Sequence, residues 1–92
     1  MVTPKPYVDI VLSDTKILRT FDGDADRLDF VWHRDVSDRV VEVISGNRWQ
    51  LQIDNELPVM REEGNTYRIP AMQYHRLIKG DGELKIAVEE LL

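Results

Sequence analysis

The chain has 92 residues, 42% of them hydrophobic, no cysteine, and twelve Lys and Arg against seventeen Asp and Glu, for a formal net charge of −5. That length holds one domain, residues 1–92, with no room for a second core, and the apolar content excludes intrinsic disorder. The acidic balance argues against nucleic acid as a partner, and without cysteine any metal would need His, carboxylate or amide ligands.

The start, Met-Val-Thr-Pro-Lys-Pro-Tyr, lacks the basic opening and apolar run of a secretory signal, and nothing later approaches a membrane-spanning stretch. A soluble, cytoplasmic protein without a membrane partner is expected. A domain this small buries only roughly 60–65% of the surface its unfolded chain exposes, so further burial in a homodimer would help it, and a homodimer is expected.

Residues 1–6, with Pro4 and Pro6, read as a loose lead-in. From there apolar residues recur at every second position or in short runs, the period of β-strands. Strands are expected at 7–12, 16–21, 28–32, 39–44, 49–53, 57–61, 66–69, 75–78 and 83–90. Turn residues separate them: Asp22-Gly23-Asp24, Ser45-Gly46-Asn47, Asp54-Asn55, Glu63-Gly64-Asn65 and Gly80-Asp81-Gly82. No stretch keeps a helical period, and nine short strands joined by close turns predict an all-β antiparallel sandwich or barrel.

Several residues gain a role from alternation alone. Trp49, in line with Leu51 and Ile53, belongs to the core, whereas Trp32 faces away from His33 and, with Phe30, is a candidate for a dimer interface. Tyr74 and Arg76 alternate away from His75. Lys16, Arg19, Arg61 and Lys85 read as surface charge. Asp22-x-Asp24-x-Asp26 has the spacing of a calcium loop, but no Gly follows where such a loop needs it and His33 stands where Glu would close it, so a solvated turn is expected.

The two histidines carry the chemistry. Around the first the chain reads His33-x-Asp35, three residues, Arg39, six residues, Gly46; around the second, Gly64, five residues, Pro70-x-Met72-x-x-His75. Alternation turns His33 and Asp35 to one face of a strand, where a second strand could bring His75 opposite them.

These two stretches resemble the two motifs of the cupin superfamily, with Met72 at a glycine position and Arg39 at a Glu position, over roughly residues 26–90. The resemblance implies a small cupin or jelly-roll β-barrel, a double-stranded β-helix, with a pocket inside it. It also implies a metal centre of inward-pointing His and carboxylate side chains. His33, Asp35 and His75 are the candidate ligands, for a divalent Fe, Mn, Ni or Zn. Arg39 cannot ligate and is expected to pair with Asp35, leaving a pocket of His33, Asp35, Arg39 and His75, rimmed by Tyr67 and Met72, suited to a small polar or anionic molecule. Three functions remain open. The chain binds such a molecule, with or without a metal; or it is a metal-dependent oxygenase or an isomerase, in the metal-free case with His75 or His33 as general base; or the barrel is a non-catalytic assembly scaffold.

Overall fold

The computed structural model describes residues 7–23 and 30–91. Eight strands follow one another: β1 (Tyr7–Val11), β2 (Lys16–Phe21), β3 (Asp38–Asn47), β4 (Gln50–Ile53), β5 (Val59–Met60), β6 (Thr66–Ile69), β7 (His75–Ile78) and β8 (Asp81–Leu91). They form two antiparallel sheets, a five-stranded one in the order β1-β2-β8-β3-β6 and a three-stranded one in the order β5-β4-β7. The sheets pack against each other as a jelly roll but do not close into a hydrogen-bonded barrel. No helix occurs among the described residues, so none there is long and apolar enough to cross a membrane.

Period-two alternation decides which face each strand buries. In β3, Val41 and Val43 are buried and Glu42 is exposed; in β8, Leu84, Ile86 and Val88 join the core. Trp49, fully buried, closes the core with Phe21, whose ring centroid lies 5.9 Å away.

Several expectations change. Of the strand expected at 28–32, residues 28 and 29 lie outside the described residues, and Phe30 to Trp32 are irregular. Phe30 and Trp32 do not share a face either. The Phe30 ring inserts beside Phe21 and Trp49, at 5.7 and 5.5 Å, whereas Trp32 lies outside under the Arg76 guanidinium at 4.8 Å. The strand expected at 57–61 shrinks to β5, because Pro58 has no N–H to offer a ladder. The turns expected at 45–47 and 80–82 are instead absorbed into β3 and β8, whose ladder pairs Ser45 with Lys85 and Asn47 with Asp81 across register shifts, with Gly82 at φ +68°. Asp24, Asp26 and the lead-in 1–6 lie outside the described residues.

Candidate metal centre and cavity

The site is assembled at the open side of the sandwich, where residues 33–38 run beside the turn that enters β7. Three contacts hold that turn. The Asp38 carboxylate accepts a hydrogen bond from the Ala71 N–H at 2.6 Å and pairs with Arg68, while the Asp35 carbonyl accepts from the Met72 N–H at 2.6 Å. The Ala71 N–H first, and Arg68 next, hold the Asp38 carboxyl below its usual range. His75 then opens β7 and makes a two-bond antiparallel bridge with His33, N–H to carbonyl at 3.0 and 2.8 Å. Residues forty-two apart in sequence are thus placed side by side.

Each imidazole is oriented by its own backbone. His33 Nδ1 donates to the Val31 carbonyl at 3.0 Å and His75 Nδ1 to the Gln73 carbonyl at 2.9 Å. A carbonyl can only accept, so Nδ1 carries the proton in both rings and each Nε2 keeps its lone pair free. Asp35 Oδ2 lies 3.4 Å from His75 Nε2, and one ligand atom from each of His33, Asp35 and His75 falls within 4.8 Å of the others. That oxygen is buried without a hydrogen-bond partner. Two ligands held at about 2.0–2.2 Å from one ion sit roughly 3.0–3.5 Å apart, so a separation that is long for a hydrogen bond suits a shared cation. Burial, the largest influence, pushes the His75 pKa below its usual value; the Gln73 carbonyl and Asp35 oppose it, while His33 and Arg39 act with it. The ring is neutral at pH 7, as a ligand must be.

Arg39 follows on β3 with its Nη2 3.4 Å from Asp35 Oδ1, so the expected pair forms, but through one long contact that leaves the buried Nε without a partner. Beside these groups a cavity of about 310 Å³ extends between the sheets, lined also by Phe30, Leu51, Leu77, Ile86 and Val88.

No protein-family model matches the chain, and no curated protein matches it. Solved structures do. A cupin domain from Bordetella pertussis Tohama I matches over the whole of both chains, with 16% identity and a TM-score of 0.67. The fold is that of the cupins. Structures of DMSP lyases match this cupin fold with 21% identity and a TM-score of 0.69, over 82% of this chain and 36% of theirs. Fe(II)-HppE with the alternative substrate (S)-1-HPP matches with 14% identity and a TM-score of 0.69, over 92% of this chain and 48% of its own. The chain therefore spans about a third to a half of those two longer proteins. At these identities the likeness concerns the fold alone.

In this cupin fold His33, Asp35, Arg39, Tyr67 and His75 all line the cavity, whereas Met72 does not: it is 49% exposed on the turn, with φ +63°. The Tyr67 hydroxyl, its pKa pushed up to about 12 by burial, stays protonated, and the Arg61 guanidinium stacks on its ring at 4.1 Å. Arg61 is thus more than surface charge. So is Arg19, which lines the cavity from β2, gripped by both Asp9 oxygens at 2.8 and 2.9 Å and lying over Tyr7 at 3.7 Å. The cue for it was present in the alternation Ile17, Arg19, Phe21, which turns Arg19 to the inner face.

Proposed function

We propose that the cavity binds a small polar or anionic molecule beside a divalent metal held by His33 Nε2, Asp35 Oδ2 and His75 Nε2. The observation that carries this reading is the buried, unpartnered Asp35 Oδ2 facing the unprotonated Nε2 of His75. Two imidazoles and one carboxylate suit Fe(II), Mn(II), Ni(II) or Zn(II) and leave positions open for a ligand oxygen. Such an ion supplies Lewis-acid polarisation of an oxygen bound to it. The chain's own groups orient the ligand: Tyr67 offers a hydroxyl, Arg39 a charge, and the apolar lining excludes water. HppE, a protein of similar fold, is described in an Fe(II) form, so Fe(II) is included among the ions to be tested.

A second reading rests on the Asp35–Arg39 contact at 3.4 Å. If that pair claims the carboxylate, the cavity binds its ligand without metal, and His75 or His33 is free to act as a general base in an isomerase. The two roles exclude each other, because a ligating Nε2 has no lone pair left for a proton. The unpartnered polar atoms around an open cavity count against a mere scaffold.

The test is metal content by plasma mass spectrometry after incubation with each ion and desalting. Near-stoichiometric uptake in the parent, lost in His75→Ala and Asp35→Asn and strengthened in Arg39→Glu, which adds a carboxylate on the inner face of β3, is the expected result. Uptake that ignores both of the first two substitutions would sink the metal reading. We further propose a homodimer formed through the edge strand β1, whose exposed Val8 and Ile10 face away from the cavity.

A further inference from the structure

A site built on His, carboxylate and a divalent ion is sensitive to the count of charges around it. Here Arg39 occupies the inner face of β3 where the cupin motif calls for a carboxylate, so the net charge of the cavity is two units more positive than it would be with Glu at that place. Arg19, the other cavity guanidinium, is neutralised by the two-oxygen grip of Asp9. Arg39 is not. Among the described residues its one ion pair is a single 3.4 Å contact to Asp35, longer than a charge-assisted bond, and its Nε has no hydrogen-bond partner there. Among the described residues Asp35 is the one carboxylate that lines the cavity, so once it ligates a metal the guanidinium and the ion leave an excess of positive charge that a ligand carboxylate would reduce.

We propose that Arg39 anchors the carboxylate of a small monocarboxylic acid whose short apolar tail lies against Phe30, Leu51, Leu77, Ile86 and Val88, an inference that rests on the metal-assisted reading of the same cavity. Three features define this class. The planar fork of Arg39 matches a carboxylate. Asp35 touches Arg39 through Oδ1 and His75 through Oδ2, so an acid on Arg39 sits next to the metal position. Apart from Arg19, which is held by Asp9, and the two tyrosines Tyr7 and Tyr67, the remaining lining is apolar, and the cavity, about 310 Å³, lies at the lower end of ligand sites, which favours a small acid with an apolar tail over a sugar with a full set of hydroxyls.

The test uses 3-methylbutanoate, its uncharged amide 3-methylbutanamide, and acetate, titrated by NMR into the full chain already loaded with Zn(II), with metal content measured beforehand. The expected result is saturable binding of 3-methylbutanoate, at least tenfold weaker for acetate, which lacks the tail, and at least tenfold weaker for the amide, which lacks the charge. Arg39→Gln should lose tenfold or more for the acid while keeping its metal and its melting temperature, and Arg39→Lys should recover part of the loss. Equal binding of acid and amide, or acid binding unchanged in Arg39→Gln, overturns the inference and leaves the metal reading standing. A chain that takes up no metal fails at the earlier measurement, before any acid is added, and that failure belongs to the metal reading.

Discussion

Met72 illustrates how a single residue can be kept in a conformation its own chemistry disfavours. Its φ of +63° lies in the left-handed region, where a side chain with a Cβ is strained by about 1–2 kcal/mol. Its N–H is tied to the Asp35 carbonyl, and the adjacent Ala71 N–H to Asp38, so the turn is fixed from outside. Met72→Gly should relieve the strain and, after the entropy glycine adds to the unfolded chain, raise stability by about 0.5–1 kcal/mol in urea unfolding. A destabilised Met72→Gly would mean that the exposed thioether side chain contributes more than the backbone loses.

At the same scale, His75 gives the molecule a pH dependence of known sign. Its folded pKa is depressed, so on acidification the unfolded chain takes up a proton that the folded chain, with burial, His33 and Arg39 set against the charge, refuses. The stability His75 contributes is complete above its ordinary value of about 6.5 and declines as the pH falls below it toward the folded pKa. Urea unfolding of metal-free protein at pH 7.5 and 5.5 should show a loss that is smaller in His75→Gln. Parallel losses in the two proteins would contradict the assignment.

Among the elements, β2, β6 and β7 occupy the residues their alternation predicts, and the paired motifs bring His33, Asp35, Arg39 and His75 to one cavity. Those features depend on local period and spacing, which a sequence displays. Leu28 to Trp32 has the same alternating appearance, yet Phe30 is drawn into the core by Phe21 and Trp49, partners far away in the chain, and no local pattern records them. The pairing of Arg39 with Asp35 was visible in its position, but the incompleteness of that ion pair was not, because it depends on a distance. The start of β8 was hidden for a similar reason. Gly80 presses on the backbone between β3 and β4, and a Cβ there would meet the Asn47 carbonyl oxygen at 2.2 Å and the Trp49 nitrogen at 2.5 Å. Backbone atoms cannot step aside as a flexible side chain can, so Gly80→Ala should cost at least about 1–3 kcal/mol in urea unfolding. A cost below 0.5 kcal/mol, within the usual range of surface substitutions, would show that β8 can shift away from the hairpin.

For the whole molecule, the five-stranded sheet ends at β1, and its outward Val8 and Ile10 are 71% and 58% exposed. An apolar edge strand offers both unpaired backbone groups and surface to bury, which supports the homodimer proposed above. Light scattering should give twice the 10.7 kDa chain mass, and Ile10→Lys should return the chain to 10.7 kDa with its metal uptake unchanged. A parent that is monomeric throughout the micromolar range would rule that dimer out.

The paired backbone bonds between His33 and His75 have a consequence for a chain that contains no cysteine. An ion shared by the two rings and Asp35 would tie the open segment to β7 and close a loop of some forty residues, the topological task that a disulfide performs in small secreted domains. Because the unfolded chain offers no assembled site, free metal at one hundred times its dissociation constant would add about 2.7 kcal/mol of stability. Chelation would then loosen the fold as well as empty the pocket, and the molecule's resistance to heat would report how much metal its surroundings supply.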